Sequence, residues 1–374
     1  MRKALFWGGL GAIAWTHLGY PAFAGLLARL RPRPVRTGDV TPSVAVIVAA
    51  HDEEAVIARR VENLLALDYP EELLEIVVAS DASTDATDEI VEEIARREPR
   101  VRLLRCPRGG KVAAQDAAVR STSSEIVAFS DANAIWAADA LRKLVRAFAD
   151  PDVAYVCGQV RLERPDGTNR EGSYWRYELW LREQESTFGS ITGGNGAVYA
   201  VRRSDYLEVD PRFGHDLALP YRLAQRGRRA VYEPRAWSFE KPPRDLEDEY
   251  ARKVRMFEHC WLMLLRGGML RRVDPLYRLE LVSHRALRYG SGLAHLALLL
   301  GSAGLASRGG VYRAALAAQL AGLGLAAAGR LRAPVPGASL ALYYVLVTQA
   351  TVVALARAWS GSVPPVWEKA EGTR

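Results

Sequence analysis

The chain is 374 residues long, 49% apolar and 25% charged, with 50 Lys and Arg against 43 Asp and Glu for a formal net charge of +7. That length accommodates one large domain plus further segments, and a modest, dispersed basic excess with no aromatic-interleaved basic stripe and no zinc spacing excludes a nucleic-acid binder. Its three cysteines, Cys106, Cys157 and Cys260, stand far apart, which indicates a reducing compartment and not a disulfide framework.

Ala4 to Leu27 is an apolar run carrying Trp7, Trp15 and Tyr20, long enough to cross a bilayer as a helix. A signal peptide is the rival reading. The length of the run and the arginines at 29, 31, 33 and 36 behind it favour a membrane anchor over residues 1–30, with the next part of the chain in the cytoplasm. Pro32, Pro34 and Pro42 mark a linker over 31–42. Ser43 to Ala50 reads as a strand buried on both faces, as in a parallel sheet. His51-Asp52-Glu53-Glu54 then opens a helix with Ile57, Val61, Leu64 and Leu65 on one face.

Leu74 to Ala79 is a second strand, ending at Ser80-Asp81. Ser83 is a candidate N-cap for the next helix, and Asp85 and Asp88 read as ordinary capping acids. Val101 to Arg105 is a third strand, and Gly109-Gly110-Lys111 leads into a helix. A fourth strand, Ile126 to Phe129, stops at Asp131, and period-two geometry puts Asp131 and Asn133 on one side. Two oxygens at the carboxyl edge of a sheet suit a hard divalent cation bridging a diphosphate, although an isolated D-x-N is more often a strand followed by a polar turn. Alternating strands and helices with acids gathered at strand ends, Asp52 with Glu53, then Asp81, then Asp131, predict a doubly wound α/β sheet over 43–244.

Val153 to Arg161 reads as another strand, Tyr174 to Phe188 as a helix, and Ile191 to Arg203 as a glycine-rich turn before a strand. Phe213-Gly214-His215-Asp216 opens a helix that Asp216 is placed to cap, and Arg229 to Glu233 closes the sheet as an edge strand. Residues 245–275 read as an amphipathic helix on the membrane surface, with Arg252, Lys253 and Arg255 on its polar side. Residues 276–360 hold about three transmembrane helices, in apolar runs at Ala286 to Ala306, Val311 to Gly329 and Ala338 to Ala356. Residues 361–374 form a polar tail.

These stretches resemble the inverting family 2 glycosyltransferases, in the membrane-bound branch with a GT-A catalytic domain related to polysaccharide synthase-type transferases. "AAHDEE" resembles the family's A-Y-N-E-E, "ASDASTDAT" its D-D-G-S-T-D-G-T, and "GGKVAAQDAAV" its G-K-x-x-A-L-N-x-A. "FSDANAIW" resembles the D-x-D segment, "TGGNGAVYAVRR" the glycine segment before the acceptor site, and "GHDLALPYRLAQRG" E-D-x-x-L-x-x-R. The resemblance implies a GT-A domain flanked by transmembrane helices, and an inverting, metal-dependent transfer of a sugar from a UDP- or GDP-linked donor to a hydroxyl of a glycan or lipid-linked acceptor. That places the chain in polysaccharide or glycolipid biosynthesis, as a multi-pass inner-membrane protein in contact with membrane lipid, its catalytic domain cytoplasmic.

Residue by residue, the resemblance implies that Asp52, Glu53, Asp81, Lys111 and Asp131 bind the nucleotide, and that Asp131 and Asn133 hold Mg²⁺ or Mn²⁺. Asp216 is implied as the catalytic base, and Gly194, Asn195, Arg252 and Arg255 as donor or acceptor contacts. One base suffices for inversion by a single displacement. The departures are His51 and Asp52 for Tyr and Asn, Asn133 for an acid, and His215 for the acid before Asp216. "RKVRMF" stands where processive synthases carry Q-x-x-R-W, which favours limited sugar transfer over polymerisation. The alternative reading is a non-catalytic membrane nucleotide-binding scaffold with the same fold, and turnover on any donor discriminates the two.

Overall fold

A computed structural model describes residues 1–162, 173–241 and 246–361. The boundary expected at 244–245 and all but Gly361 of the expected tail lie outside the described residues. The elements run α1 (Arg2–Ala14), a π-turn (Trp15–Gly19), α2 (Tyr20–Leu30), β1 (Val44–Ala50), α3 (Ile57–Leu65), β2 (Leu74–Asp81), α4 (Thr87–Arg97), β3 (Val101–Cys106) and α5 (Lys111–Arg120). There follow β4 (Ile126–Asp131), β5 (Ile135–Trp136), α6 (Ala140–Val145), β6 (Val153–Leu162), α7 (Ser173–Phe188), β7 (Tyr199–Arg202), α8 (His215–Ala224) and β8 (Arg229–Glu240). The chain ends in α9 (Leu246–Arg266), α10 (Pro275–Glu280), α11 (Leu287–Tyr289), α12 (Ser291–Leu305), α13 (Gly310–Arg330) and α14 (Ala338–Ser360). Among the described residues two compact units form, one from 24–241 and 271–277, the other from 1–23, 246–270 and 278–361.

The first unit is built on an eight-stranded sheet of order β3-β2-β1-β4-β7-β6-β8-β5. All seven residues of β1 are buried, because helices cover both faces. Val44, Val46 and Val48 face α3, α4 and α6, while Ile47 and Ala49 face α5, α7 and α8. Each fully buried Val or Ile on such a strand is worth about 1.5–3 kcal/mol relative to exposure. β1, β2, β3 and β4 are parallel, with Ala50 beside Ser80 and Ala49 beside Asp131, so the acids that end these strands share one edge.

β7 breaks the parallel pattern. It pairs antiparallel with both β4 and β6, and Tyr199 at its start lies opposite Phe129 near the end of β4. The glycine segment before β7 therefore enters at the edge where β4 leaves. β6 again runs with β4, and β8 runs parallel to β6 with Leu162 beside Glu240, which brings the end of β8 to that same edge.

Four local expectations are corrected. Ser83 does not cap α4: its hydroxyl accepts from the Asp52 amide at 3.1 Å and from the Ser80 hydroxyl, and Asp85 instead takes the Thr87 amide at 3.0 Å. Asp216 is not the N-cap of α8 but stands in its first turn, after Gly214. Asn133 is not on the strand, which ends at Asp131 and passes into a tight turn at 132–133. β8 runs on to Glu240, and the short β5 pairs with its far end, so β8 is not the edge.

In the second unit, α13 and α14 are long and apolar enough to cross a membrane, and the pair Pro275–Tyr289 and Ser291–Arg308, bent by 64°, makes a third if it is one span. The N-terminal run expected as a span is helical, but the π-turn interrupts it and its apolar stretch is diluted by Thr16, His17 and Tyr20; it falls outside that set. Small residues let these helices approach closely. A Cβ on Gly301 of α12 would stand 2.7 Å from the Phe6 amide nitrogen of α1, and one on Gly9 would stand 2.6 Å from the Ala294 carbonyl. Backbone on both sides cannot yield. Gly301→Val should therefore push α1 off α12 and lower the melting temperature of the detergent-solubilised protein by several degrees, with faster proteolysis of the N-terminal helix. α9 joins α14 through Trp261, whose indole N–H donates to the Thr351 carbonyl at 2.8 Å.

Candidate active site

The carboxyl edge of the sheet carries the chemistry. β4 delivers Asp131, and α5 starts at Lys111, whose ammonium pairs directly with that carboxylate. The two are about one-fifth exposed, at 22% and 21%, so the pair is open to a ligand. Burial, the largest single influence, lowers the Lys111 pKa, but Asp131 together with Asp216 and Glu240 more than offsets it and raises the value above the usual lysine range. Lys111 therefore sits in the field of three carboxylates that come from β4, α8 and β8.

Tyr199 on β7 reports the same convergence. Burial pushes its phenol far above the ordinary range, and the charges of Asp216, Asp131 and Asp116 add to that push. Behind Asp131 lies a second cation. Arg60 of α3 is fully buried, bonded to Asn63, with its guanidinium over the Trp136 ring at 5.1 Å. Its Nε and Nη2 have no hydrogen-bond partner among the described residues. Burial lowers its pKa to about 9, and Asp131 partly offsets that fall.

The glycine segment packs onto these groups. A Cβ on Gly196 would lie 3.1 Å from Lys111 Nζ and 3.6 Å from Asp131 Oδ2, so a side chain at this position would crowd the ion pair that the bare backbone leaves room for. The Gly194 amide donates to the Asp216 main-chain carbonyl at 2.7 Å, clasping the start of α8, and Arg182 donates to the Gly194 carbonyl at 3.2 Å. A Cβ on Gly194 would collide with the Tyr155 hydroxyl. Gly194→Ala should cost about 1–3 kcal/mol and lower the melting temperature; Tyr155→Phe in the same chain, by removing the clashing hydroxyl, should recover part of the loss. The Asp216 carboxylate folds back over Gly214, where a Cβ would stand 2.5 Å from Oδ1, and the amino end of α8 favours its negative charge.

Other expected site residues serve the scaffold. Asp81 is 3% exposed, and its carboxylate takes the Gly109 amide at 2.7 Å, the Gly110 amide at 3.0 Å and the Arg108 guanidinium at 2.8 Å. It thus anchors the loop that presents Lys111. Asp52 accepts from the Thr84 amide at 2.7 Å and ties the β1 exit to the β2 exit. Glu53 is 3% exposed, and its amide donates to the Thr87 hydroxyl at 2.6 Å. Asn195, expected at the donor or acceptor, is committed to bracing its own loop: it donates to the Gly158 carbonyl at 2.7 Å and accepts from the amides of Ala197 and Val198. Arg252 pairs with Glu249 of its own helix at 2.7 Å, and Arg255 is half-buried; both belong to the other unit.

The exits of β1 and β2 are strained. Asp52 and Ala82 adopt positive φ of 49° and 54°, a region that costs a non-glycine residue about 1 kcal/mol. Ala82 stands where the resembled D-D-G-S-T pattern has glycine, so the backbone shape is kept without the residue that favours it.

Among the described residues no three or more His, Cys, Asp or Glu side chains gather to hold a metal ion. A closed protein cage is therefore not what these residues build. The open Asp131 carboxylate, the amide of Asn133 in the turn beyond it and the bare Gly196 backbone beside it do fit an ion of the Mg²⁺ or Mn²⁺ kind, which takes one or two protein oxygens and completes its shell with substrate phosphates.

Residues 45–209 match the sequence profile of Glycosyl transferase family 2. The chain carries a family 2 glycosyltransferase domain. Beta-monoglucosyldiacylglycerol synthase from Nostoc sp. is 32% identical over 209 residues, covering 53% of this chain and 44% of that protein. Poly-beta-1,6-N-acetyl-D-glucosamine synthase from Staphylococcus aureus is 24% identical over 259 residues, covering 66% and 62%. The chain thus spans less than half the length of the first of these relatives. Among solved structures, the mannosyltransferase PcManGT from Pyrobaculum calidifontis, in complex with GDP-Man and Mn²⁺, aligns over 97% of this chain and 100% of its own, with a TM-score of 0.76 and 24% identity. That likeness shows that the glycosyltransferase domain has the GT-A fold.

Sequence reasoning missed four members of this domain's site. Glu240 lay beyond the expected end of β8, and Arg60, Tyr155 and Asp116 lay inside expected elements without being singled out. A signal existed for the last: it stands where the resembled G-K-x-x-A-L-N motif has asparagine.

Proposed function

We propose that this chain is a membrane-bound, inverting glycosyltransferase that moves a sugar from a nucleoside diphosphate sugar to a hydroxyl of a lipid or glycan acceptor, with its catalytic domain on the cytoplasmic side. The observation that carries the reading is that Lys111 lies in the field of both Asp131 and Asp216 while the Gly196 backbone closes on the same ion pair. An anionic leaving group on the Lys111 side and a proton acceptor on the other are what a single displacement needs.

In this mechanism the acceptor oxygen attacks the anomeric carbon, the bond from that carbon to the diphosphate oxygen breaks, and the acceptor proton passes to the Asp216 carboxylate. Lys111 stands at the departing diphosphate. Asp81 acts through the loop it holds, and Asp52 and Glu53 shape the nucleoside end. A divalent ion held by Asp131 and Asn133 supplies charge neutralisation for the leaving group when bound. The acceptor class draws on the glucosyldiacylglycerol synthase relative and on the apolar helices α13 and α14. The relative that makes poly-N-acetylglucosamine supports a glycan hydroxyl as the other acceptor class.

The test is a donor screen with detergent-purified chain, measuring released nucleoside diphosphate with Mn²⁺, with Mg²⁺ and with EDTA. One UDP- or GDP-sugar is expected to turn over only with metal. Binding of nucleotide with no turnover of any donor would favour the non-catalytic scaffold instead.

A further inference from the structure

We propose that Asp116 and His215 form a positioning pair that fixes the first turn of α8, and with it the Asp216 carboxylate, relative to Lys111 and Asp131; this rests on the glycosyl-transfer reading above. Asp116 lies in the second turn of α5 and is 6% exposed, and His215 opens α8 and is 2% exposed. His215 Nε2 stands 3.2 Å from Asp116 Oδ1 and 3.1 Å from the Tyr206 hydroxyl, which itself donates to the same carboxylate oxygen. A buried carboxylate needs such donors, so replacing either partner leaves a polar group stranded.

The pair connects the two sides of the site. α5 grips Asp131 through its first residue, Lys111, and grips α8 through its sixth, Asp116. The His215 ring also meets Phe129 edge-on at 5.8 Å, and Phe129 is two residues from Asp131 on β4. On its other side the turn is clasped by the Gly194 amide on the Asp216 carbonyl. His215 Nδ1 has no hydrogen bond among the described residues, so the side chain's polar anchorage is through Nε2 alone. A base held by so few contacts moves when one is removed, and a drift of about 1 Å in a catalytic group can cost about a hundredfold in rate.

The sequence departures agree. The resembled motifs place asparagine at position 116 and an acid at position 215. This chain has an acid at 116 and an imidazole at 215. Two departures far apart in sequence meet in space: here the carboxylate of the contact stands on α5 and the imidazole on α8.

The test compares Asp116→Asn, His215→Glu and the double variant in the full chain, using the donor that wild type turns over. Each single variant is expected to lower kcat about tenfold with donor KM within about twofold, because the base moves while the nucleotide site does not. The double variant, which puts the carboxylate on α8 and sets an amide opposite it on α5, should recover kcat to within about threefold of wild type. Should a single variant fail to fold, Tyr206→Phe, which removes one donor to Asp116 and keeps the ring, carries the test with an expected loss of about threefold in kcat. Folded single variants with wild-type kcat, a change confined to KM, or a double variant no better than the worse single overturns the inference. A wild-type chain that turns over no donor overturns the glycosyl-transfer reading and this inference with it; an active chain whose variants are insensitive overturns this inference alone.

Discussion

Asp216→Asn should lower kcat by about 10²–10⁴, the range that a positioned general base supplies, while nucleoside diphosphate binding stays within about twofold of wild type. The substitution keeps size and shape and removes only the ability to take a proton. Asp216 lies within the field of Lys111, at the amino end of α8 with its main-chain carbonyl held by Gly194. The asparagine should therefore leave the loop clasp and the nucleotide side in place. Binding is measured by calorimetry and turnover by released diphosphate. Turnover within tenfold of wild type would remove Asp216 as the base and leave Glu240 as the acid to test next.

Asp131→Ala should lower kcat/KM by about 10²–10³, the scale on which one preorganised electrostatic contact to a leaving group acts, and abolish the strengthening of nucleotide binding by Mn²⁺. It should also change the stability profile. The Lys111 pKa is raised in the folded chain: burial lowers it, and Asp131 with Asp216 and Glu240 more than offsets that fall. A group whose pKa rises on folding contributes stability that is fully present below its unfolded value and is lost as pH climbs through the raised one. The wild type should thus exceed Asp131→Ala in stability across neutral pH, with the gap closing only above the ordinary lysine range. A gap that does not narrow there would mean that the ion pair is not its source.

How much of this was legible in the sequence depended on which property was periodic. β1 to β4 and their crossover helices were readable because two-sided burial writes continuous apolar runs such as Val44 to Ala50, and because polar turns interrupt them. Lys111, Asp131 and Asp216 could be singled out because Lys111 opens α5, Asp131 ends β4 and Asp216 lies in the first turn of α8. Register across β7 was not readable: four short residues give no sign that the strand runs backwards, yet that reversal brings Gly196 onto Lys111. Nor was the division between ligand-facing and scaffold-facing polar groups. Asp81 and Asn195 look like ligands by type, and only their hydrogen bonds to Gly109, Gly110 and Gly158 show how they are used. Buried charge was hidden as well, since Arg60 and Asp116 lie on helices whose exposed faces carry the same residue types.

The reversed β7 has a further consequence for how such a domain can diversify. Its two ends open onto opposite rims of the sheet: Tyr199 on the rim with Asp131, Arg202 beside Ile126 on the far one. An insertion just before β7 would enter beside Asp131, while one directly after Arg202 would enter at the far rim, upstream of Tyr206 and α8. A single inverted strand thus puts its two bordering connections on different rims, one meeting the ion pair directly and the other reaching it only through Tyr206 and α8.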